Sequence, residues 1–263
     1  MSDSDNFDEY EDEAIELSGR NADIARLSAS YFARHPNAKR VPIYLCQFPD
    51  EPSDDVFDAA IQDALEDATE DTGLNRIGGS PTGVDWENWP CKDDEEDLPM
   101  HHLFTLDMAS VPRLQARVGA EVRAVSVFVY EPDLNEAWQP FSGDSAVVLL
   151  NAQDIAKGRL EGELPAGEHA FKTFGVQEVE VPADIFYDAD REWEVEHDPE
   201  IDAIRAEVYS APARLGGEPI WLQGNEHSGS PFLMQFDEGF VPINLGDAGV
   251  MYVFQYTAFW QCY

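Results

Sequence analysis

Hydrophobic and polar positions follow two different patterns along the chain, and the change falls near residue 73. In residues 54–69 the apolar positions recur at helical spacing, opposite a face rich in Asp and Glu, and Ser53 can cap the first turn. Residues 21–35 show this spacing over a shorter length, whereas residues 41–46 have the composition of a strand. The pattern therefore predicts two helices and one strand before residue 73.

Short β-like runs replace the helical spacing after residue 73, and Gly, Pro and Trp become frequent. β-Branched and aromatic residues favour strands over residues 103–106, 124–130, 145–150 and 177–181. Two further helices are predicted, a short one over residues 111–118 and one with periodic apolar positions over residues 199–209.

Three segments of the first half recur in the second half in the same order. They are a Gly-Gly-x-Pro turn, a strand ending in Asp and a Val-Phe-x-Tyr strand. The matched pairs are residues 76–81 with 214–219, 102–107 with 232–237, and 127–130 with 253–256. A Trp follows the turn in both copies, Trp86 or Trp89 in the first and Trp221 in the second. The Gly pairs suit turns with positive φ, and they lack the Lys and the spacing of a phosphate-binding loop.

The repeat predicts a β-rich α+β fold, in which a duplicated module of antiparallel sheets carries a few peripheral helices. Residues 1–18 are interpreted as an acidic, flexible leader, because they are rich in Ser and Asp and contain no basic residue. The remaining expected units are an N-terminal helical segment packed on the first module (19–72), the first module (73–150), a connecting segment with strands and a helix (151–209) and the second module (210–263).

Charge is the most unusual property of the composition. The 263 residues include 53 acids and 16 bases, a formal net charge of -37, and the acids are spread along the whole chain. Such a surface repels nucleic acids and anionic membranes and attracts basic proteins. Solubility, or adaptation to a salty cytoplasm, is the alternative explanation, and the presence of only four Lys residues suits it.

The sequence predicts a cytoplasmic protein. It has no apolar stretch long enough to span a membrane and no pattern of a signal peptide at its start. Its three cysteines, Cys46, Cys91 and Cys262, are widely spaced, which is typical of free thiols in a reducing compartment.

No motif indicates catalysis, a cofactor or a metal. The six His residues lack His-x-His and His-Glu-x-x-His spacing, and the adjacent His101 and His102 should point to opposite faces of a strand. Carboxylates are so numerous that no pair stands out for acid–base work. We therefore expect a protein that is not an enzyme, with no catalytic, cofactor-binding or metal-binding residues.

The candidate partner-binding surface combines two Trp residues with a run of five acids. Trp86 and Trp89 precede the run, and such neighbours can bind Arg and Lys of a basic protein. A solvated loop is the alternative, and a calcium site of the EF-hand type is disfavoured because its Gly and final Glu are missing. The acids of the run are Asp93, Asp94, Glu95, Glu96 and Asp97.

The second copy resembles the YwqG-like family, a bacterial group distantly related to the eukaryotic programmed-cell-death-two proteins. The motifs that carry the resemblance are RLGGEPIWLQ at 214–223, FLMQFD at 232–237, GDAGVMYVF at 246–254 and WQCY at 260–263. The first copy, with WPC at 89–91, is similar to the N-terminal module of that family. The resemblance covers residues 76–130 and 210–263.

The resemblance implies a duplicated β-rich module without established catalytic residues. Bacterial members are regarded as candidate immunity proteins, and the eukaryotic relatives act as chaperones for a basic ribosomal protein. The chain lacks the paired cysteines of the eukaryotic relatives, so the resemblance implies no zinc site. The sequence therefore predicts an acidic protein-binding protein, first an immunity protein (antitoxin) for a toxin domain, alternatively a chaperone for a ribosomal client, or an enzyme of unknown class.

Overall fold

The computed structural model describes residues 7–47, 74–92, 98–132, 137–162, 164, 172–187, 198–226 and 229–263, with side chains from Asn21 onwards except that of Lys172. The helix predicted over residues 54–69 and the acidic run at 93–97 lie outside the described residues. The helices are α1 (Phe7–Arg34), α2 (Pro112–Val118), α3 (Ala152–Ile155) and α4 (Pro199–Tyr209), with 3-10 turns at Met108–Ser110 and Ala183–Ile185. The strands are β1 (Arg40–Gln47), β2 (Arg76–Ile77), β3 (His101–Asp107), β4 (Ala124–Val129), β5 (Ser145–Leu150), β6 (Lys172–Thr173), β7 (Gly175–Pro182), β8 (Ala213–Gly216), β9 (Phe232–Phe236), β10 (Val250–Phe254) and β11 (Ala258–Gln261).

The first helix is longer than the sequence predicted. The helix expected over residues 21–35 is present, but it starts at Phe7, so residues 7–18, interpreted as a flexible leader, belong to α1. The missed signal is an apolar series, Phe7, Tyr10, Ala14 and Leu17, spaced three and four residues apart within the acidic segment. Residues 7–18 therefore carry a helical pattern in addition to their acidic composition.

The other predicted elements of the described chain are confirmed to within a few residues. Helix α4 has the predicted bounds, because Asp198 accepts a hydrogen bond from Glu200 N at 2.9 Å and Pro199 occupies the first turn. The predicted strands correspond to β1, β3, β4, β5 and β7, and residues 111–118 to α2. Helix α3 and strands β6 and β11 were not predicted individually.

All strands belong to two antiparallel sheets within the described residues. The six-stranded sheet has the order β11-β10-β9-β8-β1-β7, and the five-stranded sheet has the order β5-β4-β3-β2-β6. The first copy of the repeat supplies β2 to β5 and the second supplies β8 to β11, in the same spatial order. The predicted β-rich α+β class with a duplicated module is confirmed.

The two copies also agree in register. Arg76 lies opposite Thr105, and at the equivalent positions Arg214 lies opposite Gln235. One extra residue interrupts the next pairing in each copy: Leu103 between β3 and β4, and Leu233 between β9 and β10. A bulge at the same place in both copies is a detailed structural match, because bulges depend on local side-chain packing.

The two sheets pack face to face around a shared apolar core. Phe104 of β3 meets Phe236 of β9 edge-on, with ring centroids 5.5 Å apart, and Phe240 contacts both rings. Val127 of β4 and Val253 of β10 are fully buried in this shared core. The fold is therefore a sandwich of two related sheets, with further apolar clusters on the outer faces.

The N-terminal segment packs on the sheet of the second copy, which corrects the expectation that it packs on the first module. Strand β1 inserts between β8 and β7. Its alternate residues Ile43 and Leu45 face α1 and α4, whereas Tyr44 faces the core between the sheets. The long pairing of β1 with β7 holds this segment in the six-stranded sheet.

Candidate functional site

The two candidate Trp residues lie in different environments. Trp86 is 59% exposed, whereas Trp89 is 7% exposed, donates from Nε1 to Met100 O at 2.8 Å and packs edge-on against Phe128. Trp221 of the second copy is buried in the same way on the rings of its own sheet. Trp89 is therefore the counterpart of Trp221 and a core residue, which corrects its assignment to a partner surface. Of the two candidates, Trp86 is the exposed one.

The segments on both sides of the acidic run are fixed to the first module. Cys91 and Pro99 form a β-bridge, and Lys92 N donates to Leu98 O at 3.0 Å. The Lys92 ammonium lies 2.9 Å from a carboxylate oxygen of the buried Asp144. The run at 93–97 itself lies outside the described residues, so its role in binding stays a prediction.

A second exposed aromatic surface was not found from the sequence. Trp138, Phe141 and Tyr256 are 45%, 62% and 62% exposed, and they lie in the loops that bring β5 and β11 together. The loops are joined by Phe141 N, which donates to Thr257 Oγ1 at 3.0 Å, and Trp138 packs edge-on against Trp260. Trp138 and Phe141 lie outside the predicted strands. Tyr256 was predicted to end a strand, but β10 ends at Phe254 and Tyr256 lies in the following turn.

A buried arginine precedes the Gly-Gly turn in each copy. Arg76 and Arg214 are 2% and 0% exposed. Arg76 donates to Ser80 O at 3.0 Å, and Arg214 donates to the equivalent Glu218 O at 2.7 Å and to Gly216 O at 3.1 Å. Burial lowers the pKa of Arg214 to about 9, so its guanidinium remains charged at neutral pH. These arginines hold the turns from inside the fold.

A polar network surrounds the turn of the first copy. His102 Nδ1 lies 3.1 and 3.0 Å from the carbonyl oxygens of Gly78 and Gly79. Its Nε2 lies 2.9 Å from Thr105 Oγ1, which lies 2.7 Å from Ser126 Oγ. The order His, Thr, Ser resembles a hydroxyl nucleophile next to a His base. All three side chains are buried, however, so a substrate cannot reach these hydroxyl groups. His102 is a structural residue.

The equivalent positions of the second copy carry different side chains. Phe232 replaces the His, Gln235 replaces the Thr and Tyr252 replaces the Ser. Gln235 Oε1 accepts hydrogen bonds from Arg214 and from Ile220 N. Tyr252 Oη donates to Ile220 O at 3.1 Å and accepts from Leu222 N at 2.8 Å. The polar contacts of this copy support the chain after the turn.

A cavity of about 430 Å³ lies where the turn of the second copy meets α2 of the first. Arg117 of α2 crosses this junction and donates from Nη1 to Gly217 O at 3.1 Å. Tyr44 Oη accepts a hydrogen bond from Arg113 N at 3.2 Å. The sequence did not predict this cavity, because its walls come from four separated segments. The lining residues are Lys39, Val41, Pro42, Tyr44, Arg113, Leu114, Arg117, Ala183, Phe186, Gly216, Gly217 and Glu218.

Within the described residues no group of three or more His, Cys, Asp or Glu side chains is placed to hold a metal ion. Burial raises the pKa of the Cys46 thiol, so this sulfur is a poor nucleophile. The described part of the chain also contains no helix with the length and apolar character needed to cross a bilayer.

No protein-family model matches the chain, and comparisons with curated proteins and with solved structures likewise find no match. The structure thus defines a class, a sandwich of two related antiparallel sheets, and the resemblance to the YwqG-like family stays a prediction.

Proposed function

We propose that this protein binds a basic partner protein through its acidic surface. The single observation that carries the proposal is the excess of carboxylates, 53 acids against 16 bases. A strongly negative surface attracts a basic protein over long range and raises the rate of their encounter. The same surface repels nucleic acids and anionic membranes.

The 16 basic residues offset less than a third of the 53 acidic charges, and several of them are also engaged within the fold. Arg205 donates to the carbonyl oxygens of Ile185 and Tyr187, at 2.6 and 3.0 Å, and Arg214 is buried. Surplus carboxylates therefore dominate the exterior. Ion pairs between described residues include Arg26–Asp23, Arg34–Glu200, Arg40–Glu180, Lys92–Asp144, Arg113–Glu178, Lys157–Asp85 and Lys157–Asp154.

We assign the contact surface to Trp86 and the neighbouring run at 93–97. An exposed Trp supplies an apolar anchor, and carboxylates that follow it closely in the sequence can pair with Arg and Lys of the partner. The resemblance to the YwqG-like family favours a cytoplasmic immunity protein that blocks a toxin domain. A chaperone for a basic ribosomal protein is the second candidate, and the identity of the partner distinguishes the two.

The experiment captures partners with the tagged full chain from a lysate of its source organism, at low and high salt, and then measures the affinity of the identified partner by calorimetry. We expect one basic protein that is released by salt. Neutralising the five acids of the run, or replacing Trp86→Ala, should weaken binding by about tenfold or more.

Each test variant has a control variant that makes the same type of substitution at another exposed site. Trp138→Ala removes another exposed Trp, and a second variant neutralises five exposed acids elsewhere. Equal losses in test and control variants would show that the surface is wrong, and the absence of any salt-sensitive partner would contradict the proposed function. The five control acids are Glu121, Glu161, Asp184, Glu226 and Asp247.

A further inference from the structure

The cavity beside the second Gly-Gly turn concentrates positive charge in a chain that has little of it. Three of the 16 basic residues, Lys39, Arg113 and Arg117, line its wall. They come from the segment before β1 and from α2, so only the packing of the first copy on the second brings them together. Clefts of a few hundred Å³ between packed units are common ligand sites.

The charge of these residues is only partly neutralised by the fold. Lys39 forms no ion pair with any described residue, and Arg117 contacts an uncharged carbonyl, Gly217 O. Arg113 pairs with Glu178 at 3.2 Å, but its side chain is 57% exposed, so water weakens the pair. Glu218 is the acidic residue of the lining, and three cations therefore face one lining carboxylate.

A fourth cation lies next to the cavity inside the fold. The guanidinium carbon of Arg214 lies 5.3 Å from the ring centroid of Phe186, whose side chain lines the cavity. Its described hydrogen bonds go to carbonyl and amide oxygens, not to a carboxylate, and its Nε is buried without a hydrogen-bond partner. A buried cation compensated only by dipoles raises the local potential, because the protein interior screens charge weakly.

Apolar side chains form another part of the lining. Val41, Pro42, Leu114 and Phe186 supply hydrocarbon and aromatic surface beside the cations. Such a site suits a ligand with a compact negative group and an apolar body, because Arg binds planar oxyanions well and the apolar wall removes the ligand body from water.

We propose that this cavity binds a small organic oxyanion, a carboxylate or a phosphate monoester that carries an aromatic or branched aliphatic group. Lys39, Arg113 and Arg117 bind the oxyanion, and Phe186 and Pro42 contact the apolar body. This site is independent of the acidic surface that binds the basic partner, so either function can fail without the other.

The test measures binding of three probes to the full chain by calorimetry and saturation-transfer NMR: phenylacetate, phenyl phosphate and the neutral phenylacetamide. We expect at least one anion to bind with a Kd of about 1 mM or tighter, and the amide to bind at least about tenfold more weakly. Whether phenylacetate or phenyl phosphate binds better identifies the natural class as carboxylate or phosphate.

Two variants test the assignment of residues. Lys39→Gln combined with Arg113→Gln should weaken anion binding by about tenfold. The control double variant, Arg26→Gln with Arg34→Gln, removes the same charge from exposed ion pairs of α1 and should leave the affinity unchanged. A Glu218→Gln variant should bind anions about threefold more tightly, because it removes the lining carboxylate.

The expected gain with Glu218→Gln is a result that misfolding cannot produce. Three outcomes would each overturn the proposal: amide and anions bind equally, neither anion binds at about 20 mM, or the Lys39 and Arg113 variant keeps the affinity of the control.

Discussion

The two copies of the module share their strand pairing and differ in what surrounds the Gly-Gly turn. In the first copy His102 contacts both turn carbonyls, and Gly83 N donates to Gly158 O at 2.8 Å, so the chain after α3 covers the exit of the turn. In the second copy Arg117 reaches the turn from the other module, and the turn lines a cavity.

The difference shows which parts of the module carry its architecture. Both copies have a buried Arg and a Gly pair with positive φ. Both also have a bulge, which lies just before Phe104 in the first copy and just before Met234 in the second. The polar positions on the adjacent strands vary, from His, Thr and Ser to Phe, Gln and Tyr. A turn held from inside by Arg can therefore be closed in one copy and open to a cavity in the other.

Removing the buried arginines should have the largest effect on stability. Arg214→Met leaves Gly216 O and Glu218 O without their donors in a buried setting, and we expect a loss of about 3 kcal/mol in the free energy of unfolding. Arg76→Met should cost a similar amount, if the two residues have equivalent roles. Urea unfolding of both variants measures this.

The matched control for both is Arg26→Met, which removes an exposed ion pair and should change stability by less than about 0.5 kcal/mol. If one of the two buried-Arg variants keeps the free energy of unfolding of the parent chain and the other loses several kcal/mol, the two arginines do not have equivalent roles.

Adding a methyl group to the second turn should cost nearly as much. Gly217 has φ +69°, and a Cβ there would lie 2.6 Å from Phe186 Cζ. We expect Gly217→Ala to lower the free energy of unfolding by about 2 kcal/mol, from backbone strain and from displacement of the Phe186 ring.

Gly158→Ala separates the two causes. Gly158 has φ +79° but open space around its would-be Cβ, so strain alone should cost about 1 kcal/mol. Equal losses in the two variants, measured by thermal unfolding, would mean that Phe186 moves aside freely and does not form a fixed wall of the cavity.

Much of this fold was accessible from the sequence, because the signals are local. β-Branched and aromatic residues marked the strands, the spacing of apolar residues marked α4, and the recurring Gly pairs revealed the duplication. The buried role of Arg76 and Arg214 was also visible in principle, since the same basic residue opens both copies of the motif in a chain poor in bases.

The errors have a common physical cause, which is pairing between distant segments. Strand β1 reads as a neighbour of the first module, but it pairs with β7, more than a hundred residues later in the chain. Trp86 and Trp89 have the same composition around them, and only the packing of Trp89 on Phe128 separates them. The sequence did not predict the cavity for the same reason, because Lys39, Arg113 and Gly217 come together only when the two sheets pack.

The polar network of the first copy should contribute less than the buried arginines. His102→Phe introduces the residue of the second copy, and it removes the donor or acceptor for Gly78 O, Gly79 O and Thr105 Oγ1. We expect a loss of about 1–2 kcal/mol in the free energy of unfolding, measured in urea. The counterpart Phe232→Leu, which alters apolar packing and removes the ring that lies 5.4 Å from the Arg214 guanidinium carbon, should cost about 1 kcal/mol. No loss with His102→Phe would show that the network does not hold the turn.

The smallest expected effect lies in the alkaline range and belongs to the second copy alone. Burial raises the pKa of Tyr252 above its ordinary value of 10, whereas its counterpart Ser126 does not titrate. The unfolded chain releases this phenolic proton near pH 10 while the folded chain retains it, so the stabilisation is complete below pH 10 and is lost as the pH rises further. We therefore expect the urea midpoint of Tyr252→Phe to fall less steeply above pH 10 than that of the parent chain, after a loss of about 1 kcal/mol at neutral pH from its hydrogen bonds.

Burial also raises the pKa of Tyr209 to about 12, so some alkaline sensitivity should persist in the variant. Tyr256→Phe, which changes an exposed ring, provides the control, and a pH profile of Tyr252→Phe that parallels this control would place the alkaline sensitivity outside the polar network of the second copy.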